Sequence, residues 1–178
     1  AHPDIVIVAV DDRSIASIGR WPWRRALHAQ LVDQITAQSP RALGLDILFG
    51  EEDADYPGDD LLLARALERN AHAVLPVARR GDGPRSSADA PMPLLRQAAA
   101  QLGHVQVQLD EDGVARSLFE HEGPASAPWP HFSTAMLCAE GLALASCRGN
   151  AAPVNAPWTS QDLQILRFAQ GQPAFTTY

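Results

Sequence analysis

The sequence predicts an α/β fold: a mixed sheet that opens with a parallel βαβ unit, carries flanking helices, and includes an antiparallel hairpin in its second half. Three observations predict it. Apolar runs at residues 4–10, 42–49 and 73–77 alternate with segments of helical apolar spacing, the order from which right-handed parallel crossovers are built. The second half instead alternates polar and apolar residues on either side of Asp110-Glu111-Asp112-Gly113, as a hairpin does. The 178 residues suit one domain spanning 1–178, long enough to hold together without a metal or disulfide framework.

Each element has its own warrant. Asp4-Ile5-Val6-Ile7-Val8-Ala9-Val10 is a continuous, largely β-branched run and predicts a strand buried on both faces. Asp11-Asp12-Arg13-Ser14-Ile15 turns the chain into a short helix, with Asp12 as N-cap and Gly19 at its end. Leu27, Leu31, Val32 and Ile35 fall at helical spacing, so residues 24–38 predict an amphipathic helix that Pro40 ends. Ala42 to Phe49 is the second strand, the parallel neighbour of the first. Asp59 or Asp60 caps the next helix, whose apolar face is Leu62, Leu63, Ala66 and Leu67. Ala73 to Val77 is the third strand.

Residues 79–91 gather Gly81, Gly83, Pro84, Ser86, Ser87, Asp89 and Pro91, which predicts an exposed, mobile loop and a poor place for chemistry. Beyond it come a helix over 93–102, the hairpin strands 105–109 and 114–120, a helix over 131–145 and a strand over 163–168. The first residues, Ala1-His2-Pro3, run straight into an apolar strand, and Tyr178 follows a strand-like tail. The expectation is therefore a domain excised from a longer protein.

Composition excludes some functions. All 14 cations are Arg, against 21 acidic residues, for a net charge of −7. Such a chain lacks the basic face that neutralising phosphates requires, so no nucleic-acid partner is expected. Neither a glycine-rich phosphate loop nor a nucleophile elbow occurs, and the six His have no zinc-ligand spacing. No cofactor is implied. Cys138 and Cys147 read equally well as a disulfide or as two buried thiols.

Seven carboxylates lie between Asp46 and Asp60, with no cation from Ala42 to Ala64. If the first two strands are parallel neighbours, Asp11 and Asp12 end one while Glu51, Glu52 and Asp53 follow the other. Ligands of open parallel sheets bind beyond the carboxyl ends of the strands, where such a cluster suits Mg²⁺ or Ca²⁺. The competing reading is a turn, a solvated loop and a helix cap. In the knot Gly19-Arg20-Trp21-Pro22-Trp23-Arg24-Arg25, Pro22 fits the first turn of a helix. The Trp rings suit core packing, with stacked guanidinium groups orienting Arg20 or Arg24. Arg25 and His28 can alternatively face a ligand carboxylate or phosphate.

These residues also carry a family pattern. Val10-Asp11-Asp12, then Gly19-Arg20-Trp21-Pro22-Trp23-Arg24, then Gly44-Leu45-Asp46-Ile47-Leu48-Phe49, in that order, resemble the CHASE2 sensory domain. The likeness continues through Gly103-His104-Val105, Asp112-Gly113-Val114-Ala115-Arg116, the helix after Pro130 and Leu166-Arg167-Phe168. Residues 79–91 and 147–158 depart from it.

The resemblance implies an extracytoplasmic, periplasmic input domain of a bacterial receptor, usually followed by transmembrane helices. The cytoplasmic output is an adenylate or guanylate cyclase, a histidine or Ser/Thr kinase, or a diguanylate cyclase. It implies no catalysis by this chain, a small-molecule or periplasmic stimulus, and a homodimer in the membrane-anchored parent. The family supplies no ligand-binding residues. Asp11, Asp12, Arg24, Arg25, His28 and Asp46 are the candidates, while Gly19, Trp21, Pro22, Trp23, Phe49, Gly113 and Arg116 mark the family and its structure. Two other readings stand beside it: a metal-dependent phosphoryl-transfer or hydrolase domain using Asp11, Asp12 and Glu51, and a periplasmic protein-docking domain.

Overall fold

The computed structural model describes residues 4–81, 86–147 and 157–166. The described residues divide into two units, 4–23 and 24–166.

In the first unit, helix α1 (Asp12–Ile18) is capped by Asp11, not Asp12. The Ser14 amide donates to Asp11 Oδ1 at 2.9 Å, and the Asp11 amide donates to Ser14 Oγ at 2.8 Å, a reciprocal capping box. Gly19 ends the helix at φ 119°, a conformation that favours glycine. Trp21 and Trp23 meet edge to face at 5.4 Å across a cis Trp21–Pro22 bond, and Trp23 Nε1 donates to Gly19 O at 2.7 Å. Trp21 stays on the surface, so the pair packs on itself rather than filling a core.

The strand expected over residues 4–10 is not formed, and its apolar side chains are exposed. Strand propensity is a weak preference that needs a ladder partner, and residues 4–23 contain no other strand.

The second unit is an α/β layer continued by a second sheet. Its elements are α2 (Arg25–Thr36), β1 (Leu43–Gly44), α3 (Pro57–Asn70), β2 (Ala73–Arg80), β3 (Ser87–Asp89), α4 (Pro93–Ala98), β4 (Gln101–His104), β5 (Gln108–Leu109), β6 (Ala115–Pro124), β7 (Trp129–Pro130), α5 (Phe132–Ala139) and β8 (Trp158–Ile165). The predicted mixed α/β class holds, but its parallel βαβ unit is β1–α3–β2, with Leu43 opposite Ala73. Strand β2 also pairs in parallel with β4 and antiparallel with β3. In the second sheet β6 pairs antiparallel with β5, β7 and β8.

Strand β2 is the axis of the layer because both its faces are covered. Leu75 and Val77 join the core formed with Leu63, Leu67 and Leu95 from α3 and α4, whereas Val74 turns to Ala135 and Ala139 of α5. Burial on both faces is why this segment reads as a continuous apolar run. Helix α5 comes close to the sheet because of two glycines. A Cβ on Gly103 would sit 2.6 Å from Phe132 Cα, and one on Gly44 2.8 Å from the Met136 sulfur.

Several boundaries differ from the prediction. Helix α3 starts at Pro57, which fits the first turn, so Asp59 and Asp60 lie inside that turn rather than capping it. Leu62 is exposed, and the buried face is Leu63, Ala64, Ala66 and Leu67. The second strand shrinks to Leu43–Gly44 because the chain leaves the ladder after Leu45 donates to Val74 O at 3.0 Å.

Residues 79–91 are not simply a loop. Strand β2 continues to Arg80 and turns back through β3, burying Ser86 and Pro91. Helix α4 stops at Ala98, since Ala99 is extended and Ala100 donates to Ala73 O at 2.8 Å, which starts β4. The predicted hairpin turns around Gly113 at φ 77°, but its first strand keeps only Gln108–Leu109 of the expected 105–109 and its second runs Ala115–Pro124. Helix α5 ends at Ala139, short of Gly141, and β8 begins at Trp158. Residues 167 and 168 of the predicted last strand lie outside the described residues.

Candidate functional site

The site is built where the parallel strands of the α/β layer end. After β1 the chain runs to Phe49, a buried ring against which His28 packs edge to face at 5.5 Å. Phe49 O accepts from the Met92 amide at 2.8 Å, tying residues 49–51 to the segment that enters α4. A cavity of about 300 Å³ opens beside this tie, at the lower end of the roughly 300–1,000 Å³ usual for small-molecule sites. Its polar rim is Glu51, Arg80, Asp89 and Arg96, and its wall is Ala88, Ala90, Pro91, Met92 and Pro93. Gly50 completes it, because a Cβ there would lie 2.9 Å from Asp89 Oδ1.

Two ion pairs hold the adjoining helices, Arg25–Asp60 largely buried and Arg24–Asp59 with its guanidinium side exposed. Arg25 donates through Nη1 to Asp60 Oδ1 and through Nη2 to Glu51 O, and its Nη1 lies 3.7 Å from Met92 Sδ. Asp60 also accepts from the Asp53 amide at 3.1 Å. Arg24 grips Asp59 through Nε at 3.0 Å and Nη2 at 3.1 Å while stacking 3.7 Å above the Tyr56 ring. This ring orients Arg24, in place of the Trp stacking that the sequence suggested. The Arg24 bonds and the Ala26 amide hold the Asp59 carboxyl below its ordinary pKa. Burial, followed by the Arg25 charge, lowers the pKa of His28.

The structure therefore brings three of the predicted candidates to one corner: Arg24, Arg25 and His28 at the start of α2. The Arg24 and Arg25 guanidinium groups face Asp59, Asp60 and the Glu51 carbonyl. Asp46 is exposed, with no ion pair or side-chain hydrogen bond among the described residues. Asp11 and Asp12 belong to the other unit, where the Asp11 carboxylate caps α1. The strand pairing that would have gathered the acidic residues is absent, and among the described residues no group of three or more His, Cys, Asp or Glu side chains is placed to hold a metal ion.

Sequence reasoning missed Arg80, Asp89 and Arg96. Arg80 Nη2 donates to Asp89 Oδ2 at 2.9 Å, and this bond together with the Asp89 and Glu51 charges raises the pKa of Arg80. Arg96, half-buried on α4, makes no ion pair or side-chain hydrogen bond among the described residues. The one available signal was the position of Arg79-Arg80, directly after an apolar strand.

Two further features are plain in the structure. Cys138 and Cys147 form a disulfide, which settles the choice between thiols and bridge. Among the described residues no helix is long and apolar enough to cross a membrane.

The family model of the CHASE2 domain matches residues 1–178, the whole chain. The chain belongs to the CHASE2 family. No curated protein and no solved structure matches it. CHASE2 domains are extracytoplasmic sensory domains, and the Cys138–Cys147 bridge suits that oxidising side of the membrane. Membership of a sensory family fits the expectation that catalysis lies outside this chain.

Proposed function

We propose that this CHASE2 domain is the stimulus-receiving part of a bacterial membrane receptor and that the cavity bounded by Glu51, Arg80, Asp89 and Arg96 takes its small-molecule ligand. The observation that carries the reading is the family match along the entire chain. The position of the cavity supports it, since ligands of open α/β sheets bind beyond the carboxyl ends of the parallel strands. Arg24 and Arg25 serve as positioning residues: Arg25 fixes the Glu51 backbone, and both tie α2 to α3.

Such a domain signals by differential binding. A ligand that prefers one arrangement of the domain shifts the population toward it, and the bias passes to membrane helices. The outputs consistent with this family are a nucleotide cyclase, a histidine or Ser/Thr kinase, or a diguanylate cyclase on the cytoplasmic side, working as a homodimer.

The test uses membrane vesicles holding the full receptor. Product formation by the output enzyme should change when periplasmic metabolites reach the domain's face of the membrane. An output indifferent to everything on that face, or efficient turnover of a substrate by the domain itself, would contradict the reading. For the dimer, sedimentation of the receptor in detergent should give twice the chain mass; a monomer at all concentrations would exclude it.

A further inference from the structure

The charges around the cavity say what kind of molecule suits it. Four ionisable side chains line it, two cationic and two anionic. Arg80 and Asp89 satisfy each other at 2.9 Å. That leaves one uncommitted group of each sign. The Arg96 guanidinium has no partner among the described residues, and the Glu51 carboxylate makes no side-chain hydrogen bond there either, because Arg25 engages the Glu51 backbone carbonyl instead.

A purely anionic ligand would leave the Glu51 carboxylate without a hydrogen-bond partner among the described residues, and a purely cationic one would leave Arg96 so. Only a molecule carrying both charges pairs with both, and a ligand lacking one of them leaves one of these two groups without a partner. The remaining wall is short and apolar, made by Ala88, Ala90, Pro91, Met92 and Pro93, and it suits a small aliphatic body. The 300 Å³ volume readily takes a molecule of amino-acid size.

We propose that the cavity binds a small zwitterion with the chemistry of a free amino acid, its carboxylate on Arg96 and its ammonium on Glu51. This rests on the reading of the cavity as the stimulus site. Arg96 supplies a planar fork of donors matched to a carboxylate. Glu51 is set by a backbone that Arg25 clamps from α2, so ligand binding bears directly on the α2–α3 pairing through Asp60.

The experiment is calorimetric titration and thermal shift of the 178-residue chain with free amino acids. Each is compared with its N-acetyl derivative, which keeps only the carboxylate, and its methyl ester, which keeps only the ammonium. At least one free amino acid should bind and raise Tm, with both derivatives weakened at least about tenfold. Arg96→Gln and Glu51→Gln should each weaken the free amino acid at least about tenfold, whereas Arg96→Lys should recover part of the loss. Neither altered side chain makes a hydrogen bond or ion pair among the described residues, so circular dichroism and the ligand-free Tm should stay close to the parent.

Equal binding of a free amino acid and its N-acetyl derivative would overturn the ammonium subsite. No amino acid binding, with Arg96-dependent binding of some other metabolite, would overturn the zwitterion and leave the cavity as the stimulus site. Amino acid binding that persists in both variants would overturn the cavity assignment as well.

Discussion

Two Arg–Asp clusters in this domain use the same chemistry in opposite surroundings. At the α2–α3 corner, Arg25 and Asp60 keep only 12% and 5% of their side-chain surface exposed. In the hairpin, Arg116 binds Asp110 at 2.7 Å and Asp112 at 2.8 Å with all three side chains in solvent. The Asp112 and Asp110 bonds push the Arg116 pKa far above its ordinary value, and the Arg116 bond lowers that of Asp112. Those shifts do not make the hairpin cluster valuable to the fold, because water and salt screen it and would solvate each partner alone. Removing one partner of the α2–α3 pair instead strands a charge away from water. The difference teaches that burial decides what an ion pair is worth.

The largest expected effect follows from that corner. Asp60→Ala should cost about 3–5 kcal/mol in urea unfolding, because it leaves the Arg25 guanidinium without its carboxylate and frees the Asp53 amide. A loss no greater than that of Asp112→Ala would break the comparison. Next in size is the covalent tie near the end of α5. The Cys138→Ser, Cys147→Ser double variant opens a loop of sequence separation 9 and should lose about 2–4 kcal/mol. Reduction of the parent chain should reproduce the shift.

Buried titratable groups extend the comparison to pH. His104 is fully buried on β4, and its pKa is lowered to about 3, first by desolvation and then by the neighbouring His131 charge. His131 packs against it at 5.2 Å. His121 on β6 also opposes its protonation, whereas the Phe119 and Glu120 carbonyls favour it. Between the ordinary pKa of about 6.5 and about 3, the unfolded chain holds a proton on His104 that the folded chain refuses. Stability is therefore fully present above that window and falls as pH drops through it, by up to about 1.4 kcal/mol per pH unit. Burial lowers the pKa of His28 and His131 as well, which adds to the slope. His104→Gln should flatten the dependence between neutrality and pH 5; an unchanged slope would show that His104 is not its source.

The smallest effect belongs to the hairpin. Arg116→Gln should leave the midpoint of urea unfolding within experimental scatter, and any shift should vanish at high salt.

How much of this was legible in the sequence depended on whether local pattern or distant contacts decided the outcome. Strand β2 was legible because burial on both faces leaves an unbroken apolar run, and the hairpin because Asp112-Gly113 supplies the turn. Residues 4–10 carry the same apolar look, yet pairing is not a property of a segment alone. Asp59 and Asp60 read as caps because acidic residues favour helix starts; their Arg partners lie 35 positions away, a distance no local rule spans. The candidate site was legible only at its margin, through Arg25. Its rim joins Glu51, Arg80, Asp89 and Arg96 from separate segments, and two of those residues sit in a stretch whose Gly, Pro and Ser content suggests a loop with nothing to bury.

In the proposed function, the stimulus enters through the cavity at the carboxyl edge of the α/β layer. The most direct measurement is the response of the full receptor's output enzyme to its stimulus, in membranes, with Arg96 intact and with Arg96→Gln. The account predicts that the dose needed for half-maximal response rises at least about tenfold in the variant while receptor abundance in the membrane is unchanged. An identical dose response in both proteins would contradict it.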